Sequence, residues 1–128
     1  MHEYGGKLYF ISNNNQLTQL DPLSFRCEPI GLSNLEAIES NDSFIATLSH
    51  DGELNLLYAE QDPKTLKINR NCSFLKVATT ESHVVVVGWR EQTKEAVFLL
   101  YDSNLKFRDE ITVKQGSILS QQLTFQGV

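Results

Sequence analysis

Three histidines and two cysteines carry the most versatile chemistry in this chain, and their spacing matches no catalytic or metal-binding pattern. Cys27 and Cys72 lie far apart in sequence, so neither belongs to the paired spacing of a zinc ligand set, and we expect reduced thiols. No His-x-x-x-His pair, calcium-loop pattern or nucleophile with a recognisable partner occurs. We therefore expect no metal, no cofactor and no enzymatic activity in this chain.

Residues suited to protein contacts occur in three places instead. A polar run precedes the second strand-like segment, a His-Asp-Gly turn follows a later one, and Trp-Arg ends a Val-rich run. Trp and Arg dominate the energetics of many protein interfaces, and turns present variable contacts on a rigid scaffold. We predict an interaction surface that contains Asn13, Asn14, Asn15, His50, Asp51, Trp89 and Arg90. The simpler alternative makes His50 an exposed turn residue and Trp89 a cover for the core.

The elements that must position these residues are strands. Helical periodicity is absent, and short apolar or alternating runs are separated by Asn, Asp, Gly, Pro and Ser. Val84–Val87 is typical of an inner strand buried on both faces. The predicted strands are Leu8–Ser12, Gln16–Asp21, Cys27–Leu32, Leu35–Ser40, Phe44–Ser49, Glu53–Ala59, Leu66–Asn69, Leu75–Thr79, His83–Arg90, Ala96–Asp102 and Arg108–Val113, with a twelfth within Ile118–Phe125.

These strands repeat. Leu8, Phe44 and Val84 begin equivalent strands, each followed by a polar turn and a second strand that ends in an acid. Asp21 and Asp102 then open similar turns, because an Asp side chain can accept a hydrogen bond from the backbone two residues on. A four-stranded antiparallel unit that recurs at about 40 residues is typical of a β-propeller blade.

In period and strand order, Leu8 to Val113 resembles the WD-repeat-like propellers, although their Gly-His and Trp-Asp pairs are absent. This resemblance implies a non-catalytic protein-interaction scaffold. His2-Glu3-Tyr4-Gly5-Gly6 locally resembles the propeller domain of prolyl-oligopeptidase-family peptidases, which implies an alternative function as a propeller fragment of such a serine peptidase. The chain contains no Gly-x-Ser-x-Gly elbow, so that fragment would lack the catalytic domain.

The predicted fold is all-β, a partial propeller of about three blades built from antiparallel four-stranded repeats, with a compact β-sandwich as the alternative. Residues 1–7 form a lead, 8–33 a three-stranded unit, 34–73 and 74–113 four-stranded units, and 114–128 a segment that supplies a closing strand. About three blades are too few for a ring. We therefore expect a larger propeller, or a protein partner or self-association that covers the exposed sheet edges.

Charge and hydropathy argue against two classes of partner, nucleic acids and membranes. Sixteen acids against eleven bases give a net charge of -5, which disfavours binding to nucleic acid by counterion release. The longest apolar run is far shorter than the ~20 residues that cross a bilayer, so we expect no membrane partner. The N-terminus lacks the features of a secretory leader, and we predict an intracellular, cytoplasmic location.

Overall fold

The fold is all-β and consists of three consecutive four-stranded antiparallel sheets. The computed structural model describes residues 2–58 and 61–114, which contain no helix. No helix long and apolar enough to cross a membrane therefore occurs in those ranges. Each sheet is a meander in chain order, as the repeated four-stranded unit predicted. Sheet 1 contains β1 (His2–Tyr4), β2 (Lys7–Ile11), β3 (Leu17–Asp21) and β4 (Arg26–Pro29); sheet 2 contains β5 (Leu35–Ser40), β6 (Ile45–Ser49), β7 (Glu53–Leu57) and β8 (Lys64–Lys67); sheet 3 contains β9 (Ser73–Thr79), β10 (His83–Arg90), β11 (Glu95–Asp102) and β12 (Phe107–Lys114).

Sheet 1 has four strands: the three predicted over residues 8–33, now β2, β3 and β4, and one more. The extra strand, β1, lies in the segment expected to be a lead, and it pairs with β2 through His2↔Tyr9 and Tyr4↔Lys7. A strand of three residues is too short to show alternation in sequence, and its pairing across the sheet defines it. The closing strand predicted for the C-terminal segment falls, beyond Lys114, outside the described residues.

The two Asp turns predicted to be equivalent share one side-chain hydrogen bond but differ in length, since the Asp21 carbonyl accepts from Phe25, four residues on, and the Asp102 carbonyl from Leu105, three residues on. The carboxylate of Asp21 accepts a hydrogen bond from the backbone N–H of Leu23 at 2.9 Å. The carboxylate of Asp102 accepts one from the N–H of Asn104 at the same distance. Each Asp thus starts the turn from the third to the fourth strand of its sheet, which confirms the predicted mechanism.

The repeat has a register one residue away from the predicted one. Ser40 and Thr79, the last residues of the first strands in sheets 2 and 3, pair with Ile45 and Val84 respectively. The counterpart of Val84 is therefore Ile45, and Phe44 precedes it. A continuous apolar strand such as β10 has no alternation from which the register could be fixed in sequence.

The core lies between sheets 2 and 3. Eight residues from the facing sides of these sheets are each at most 1% exposed: Ala46, Leu48, Leu54, Leu56, Val84, Val86, Val97 and Leu99. Along the chain, β1 and β2 contact β5, and β5 contacts β9, so the first strands of successive sheets adjoin. Sheets 1 and 2 also leave between them a cleft of about 250 Å³.

Candidate interaction surface

Three turns place the predicted contact residues at one end of their sheets. They join the second and third strands of each sheet and span residues 12–16, 50–52 and 91–94. The links between sheets, residues 30–34 and 68–72, lie at the same end, because alternate connections of a meander fall at opposite ends. We call this end the turn edge.

Backbone hydrogen bonds join neighbouring parts of the turn edge. The N–H of Leu35 donates to the carbonyl of Asn15 at 3.0 Å, and the N–H of His50 donates to the carbonyl of Asn34 at 2.9 Å. Asn34, the last residue of the first link, therefore binds the turn of sheet 2, and Leu35, the first residue of β5, binds the turn of sheet 1. The N–H of Ile68 donates to the carbonyl of Gly52 at 2.8 Å, which attaches the second link in turn.

The Asn run forms a tight, exposed turn. The Ser12 hydroxyl donates to the side-chain oxygen of Asn14 at 2.6 Å, and the N–H of Asn15 donates to the Ser12 carbonyl at 2.9 Å. Asn15 adopts a φ of 59°, in the left-handed region that Asn tolerates better than most residues. All three asparagines are exposed, so their amides are available to a partner.

His50 is held by a residue that the sequence interpretation did not select. Its Nδ1 lies 2.7 Å from a carboxylate oxygen of Glu36. Glu36 follows Leu35, and Leu35 pairs with Ser49, so the β5–β6 register brings the two side chains together. His50 is exposed, as expected for a turn residue, and it presents an imidazole with a fixed orientation.

Asp51 takes part in a second polar cluster beside the same turn. It accepts a hydrogen bond from the Ser49 hydroxyl, and its carboxylate lies 2.9 Å from the ammonium of Lys67. These two contacts lower the pKa of Asp51 to about 2. Gly52 completes the turn with a φ of 91°, whereas Asp51 keeps a negative φ. The turn therefore presents a carboxylate that stays charged well into the acid range.

Trp89 and Arg90 point to opposite faces of sheet 3. The indole N–H of Trp89 donates to Glu91 at 2.6 Å. The guanidinium of Arg90 lies 3.7 Å from Glu95 and 4.0 Å from Glu110, and both partners are themselves largely covered. Arg90 therefore belongs to an intramolecular ion-pair network, whereas Trp89 and its hydrogen bond to Glu91 lie on the other face of the sheet.

The same network reaches across to sheet 2. Arg70, in the second link, donates to Glu110 at 2.8 Å and lies 5.5 Å from the ring centre of Phe107. This pair ties sheet 3 to the link that precedes it. Sequence alone gives no signal for it, because Arg70 lies in the link and Glu110 lies on β12, 40 residues further along the chain.

The potential metal ligands and the two cysteines are the remaining side chains with versatile chemistry. No group of three His, Cys, Asp or Glu side chains that could hold a metal ion occurs in residues 2–58 and 61–114. Cys27 is exposed and Cys72 is partly covered, and both are free thiols. Burial raises the pKa of Cys72, while the nearby Arg90 and Arg70 oppose that rise. A thiol with a raised pKa is a poor nucleophile, which applies to Cys72.

Comparison with known proteins shows a shared fold. No protein-family model and no curated protein matches the sequence. A chain in a solved S. cerevisiae complex, a Dbp5 variant bound to Nup159, a Gle1 variant, IP6 and ADP, aligns with 79% of this chain at a TM-score of 0.61 and 13% identity. This chain spans 32% of that solved chain, about a third of its length. At this identity the likeness extends to the fold alone.

Proposed function

We propose that this chain is a non-catalytic protein-interaction scaffold of the β-propeller type and forms part of a larger ring or assembly. Its three sheets act as successive blades, and the turn edge is the recognition surface. No reacting group is needed for this role. The function lies in holding exposed polar side chains at fixed positions on rigid strands.

The observation that carries this proposal is the repetition of one contact between successive sheets. Where the first strand of sheet 1 ends, the Tyr4 hydroxyl donates to the carbonyl of Ser43 in sheet 2 at 2.8 Å. Where the first strand of sheet 2 ends, the Asn41 amide donates to the carbonyl of Thr80 in sheet 3 at 2.6 Å. Both donors stand at the end of a first strand, and both acceptors, although not at matching positions, lie in the turn between the first and second strands of the next sheet. Two such similar steps from sheet to sheet support blades arranged around an axis.

Contacts between the first strands support the same arrangement. Because β1 adjoins β5 and β5 adjoins β9, the first strands gather on one side, while β4, the last strand of sheet 1, is exposed throughout. In a propeller the first strand of each blade lies nearest the axis. The solved chain of similar fold is about two and a half times as long, so an arc of this size has a counterpart inside a longer chain.

The turn edge is suited to a polar partner surface. It presents asparagine amides in sheet 1, the His50–Glu36 pair and Asp51 in sheet 2, and Glu91 with Lys94 in sheet 3. Both charge signs occur, and each charged group already has a partner within the chain. Such a surface contributes orientation and specificity more than bulk affinity.

The experiment is chemical cross-linking with mass spectrometry on the tagged full chain in cells of its source. The test variant combines His50→Ala with Glu91→Ala at the turn edge. The control combines Asp42→Ala with Glu81→Ala, which are exposed in turns at the opposite end. We expect the turn-edge variant to lose about tenfold of a reproducible partner signal, equivalent to about 1.4 kcal/mol of binding free energy. The control should retain that signal.

Two results would overturn this function. One is equal loss in both variants, since the partner would then not recognise the turn edge. The other is the absence of any saturable partner with the wild-type chain.

A further inference from the structure

We propose that the cleft between sheets 1 and 2, with the groove that continues from it over sheet 1, binds a free amino acid that has a large apolar side chain. The side chain of the ligand occupies the cleft. Its α-carboxylate and α-ammonium lie where the cleft and the groove meet. None of the residues proposed to contact a partner at the turn edge takes part, so this site does not depend on the scaffold function.

The position of the cleft in the repeat shows that its polar lining is unusual. The β2–β3 and β6–β7 hairpins close on pairs of the same spacing, Ile11↔Leu17 and Leu48↔Leu54, which aligns sheet 1 with sheet 2. Three residues of sheet 1 that line the cleft then have these counterparts in sheet 2: Phe44 for Lys7, Ala46 for Tyr9 and Leu56 for Gln19. All three counterparts are fully buried and belong to the core between sheets 2 and 3.

Sheet 1 thus carries an ammonium, a phenol and a carboxamide where sheet 2 carries apolar side chains. Within residues 2–58 and 61–114, Lys7 forms no ion pair, and the side chains of Tyr9 and Gln19 form no hydrogen bond. Covering polar groups without partners costs stability, and sequences depart from their own pattern in this way mainly at functional sites. We therefore expect a ligand to supply the partners.

The apolar part of the cleft can receive one large side chain. The cross-strand pair Ile45↔Leu57 and the ring of Tyr58 line it from sheet 2, and Leu17 lines it from sheet 1. The Tyr58 hydroxyl donates to the Ser103 carbonyl at 2.7 Å, which holds that ring in place before any ligand binds. The cleft of about 250 Å³ has the volume of about eight water molecules, enough for a phenyl or branched alkyl group.

The groove beside the cleft carries both signs of charge. It has a volume of about 330 Å³ and shares Lys7 and Gln19 with the cleft. Its lining adds Asp21, Arg26 and Glu28, so two acids and two bases lie on one face of sheet 1. None of these four charged side chains forms an ion pair in the described part of the chain. Such a lining complements a ligand that itself carries one charge of each sign.

Two of the four charges already have local compensation. The carboxylate of Asp21 accepts the hydrogen bond from the N–H of Leu23 at 2.9 Å, and Arg26 lies directly opposite Asp21 on β4. Their opposite charges offset each other at close range. Lys7 and Glu28 are therefore the two charges that remain for a ligand.

The remaining groups match the two ends of an amino acid. The Lys7 ammonium and the Tyr9 hydroxyl donate to the α-carboxylate. Burial raises the pKa of Tyr9, and the nearby Tyr4 adds to that rise, so the phenol stays protonated and able to donate. Glu28 pairs with Gln19 across β3 and β4, so its carboxylate and the Gln19 carbonyl oxygen accept from the α-ammonium.

The test is a nuclear magnetic resonance titration of the full chain with L-phenylalanine at neutral pH. We expect saturable binding with a dissociation constant in the millimolar range or below, as is usual for so small a ligand. Three related compounds each remove one feature: phenylpropionate lacks the ammonium, phenylethylamine lacks the carboxylate, and alanine lacks the large side chain. Each should bind at least about tenfold more weakly, because one charge-assisted hydrogen bond or the apolar contact is lost.

Charge-neutral variants assign the two ends of the ligand. Lys7→Met and Glu28→Gln should each raise the dissociation constant for L-phenylalanine about tenfold. Lys7→Met should leave the binding of phenylethylamine unchanged, and Glu28→Gln that of phenylpropionate, because each compound lacks the group that the variant no longer holds. Lys76→Met removes an exposed ammonium from β9 and serves as the matched control, with unchanged affinity.

A third variant separates loss of binding from loss of folding. Gln19→Leu gives sheet 1 the residue that sheet 2 has at the equivalent position, Leu56. We expect weaker binding of L-phenylalanine together with a melting temperature at least as high as that of the wild type, since an unpartnered amide is removed. Weaker binding by a chain of undiminished thermal stability cannot result from misfolding.

Three results would overturn the proposal. The first is the absence of saturable binding of L-phenylalanine, L-leucine and L-tryptophan at millimolar concentrations. The second is equal affinity for N-acetylphenylalanine amide, in which both α-charges are blocked; this would assign the cleft to an internal side chain of a polypeptide. The third is tighter binding of the peptide Gly-Gly-Phe, which would assign it to a polypeptide C-terminus. The partner signal at the turn edge should persist in Lys7→Met, so the scaffold function is judged separately.

Discussion

The junction between sheets 2 and 3 and the junction between sheets 1 and 2 use the same repeat but differ in how their faces pack. The former has an apolar centre, with Leu54 and Leu99 almost completely buried, and its own cleft, of about 260 Å³, lies to one side of that centre beside Leu66 and Leu105. The latter contains a cleft of about 250 Å³ whose lining includes Tyr9 and Gln19. One backbone arrangement thus supports both a packed core and a looser contact, and the side chains decide between them.

Polar groups explain the looser junction. Thr47 and Asn55 pair on the side of sheet 2 that faces sheet 1. Asn55 is satisfied by Glu53 and Thr65, but the hydroxyl of Thr47 is buried without a hydrogen-bond partner. Burial raises the pKa of Tyr9 in the facing sheet. Each such group loses hydration without gaining the contacts that apolar side chains make in the other junction.

The largest expected effect is the loss of a core side chain from the tight junction. Leu54→Ala should lower the free energy of unfolding by about 3 kcal/mol, since it removes a fully buried side chain and leaves a cavity. Leu57→Ala makes the same change at the half-buried lining of the cleft and should cost about 1 kcal/mol. Urea unfolding of both variants at one protein concentration measures the difference. Equal losses would remove the distinction between the junctions.

A glycine at the tight junction should be less replaceable than one at the edge of sheet 1. A Cβ at Gly52 would lie 2.6 Å from the ring of Phe74, and the residue has a φ of 91°. Gly5 has a φ of 60°, but a Cβ there would meet no atom within 4 Å. We expect Gly52→Ala to cost about 2 kcal/mol and Gly5→Ala about 1 kcal/mol, from the backbone alone. Thermal unfolding of the two variants measures both losses of stability. A larger loss for Gly5→Ala than for Gly52→Ala would contradict this prediction.

The looser junction should improve when its unsatisfied hydroxyl is removed. Thr47→Val keeps the branched shape and eliminates a buried donor and acceptor, so it should raise the free energy of unfolding by about 1 kcal/mol. Thr65→Val is the matched control, because it removes a hydroxyl that donates to Asn55 at 2.6 Å and should destabilise. If chemical denaturation shows Thr47→Val to be destabilising, the hydroxyl has a partner and the account of this junction is wrong.

The smallest effect concerns acid stability at the turn edge. Ser49 and Lys67 lower the pKa of Asp51 to about 2, below the value of about 3.9 for an unfolded chain. The unfolded state therefore binds the proton first as pH falls, and the contribution of these contacts is complete above about pH 4 and lost toward about pH 2. The difference in melting temperature between wild type and Asp51→Asn should narrow over that interval. Asp42→Asn, at the opposite end, serves as control, and a constant difference would contradict the assignment.

Much of the architecture follows from local sequence. Asp21 and Asp102 mark their turns because the same short-range hydrogen bond forms in both, and Gly52 marks the β6–β7 hairpin by its positive φ. The Val-rich run is an inner strand of sheet 3, as predicted, with Val84 and Val86 fully buried. Turn chemistry and alternation are local properties, so a single sequence displays them.

What the sequence could not show depends on contacts between distant residues. The partner of His50, Glu36, requires the β5–β6 register, and the Arg70–Glu110 pair requires the packing of two sheets. Composition also could not reveal that Arg90 is engaged within the chain while Phe25 is exposed. An Arg is usually exposed and a Phe usually buried, so these two residues depart from the usual pattern. Only the tertiary structure shows this departure.

The bond from the end of each first strand to the following sheet gives the fold a modular character. Tyr4 and Asn41 each reach forward to the next unit, so the first two units each contain their own connector. A gene that duplicated residues 35–72 in frame would add one unit with its own connector and would leave both terminal faces unchanged. Length in such a fold can therefore change in whole units, by recombination, without the redesign of any interface.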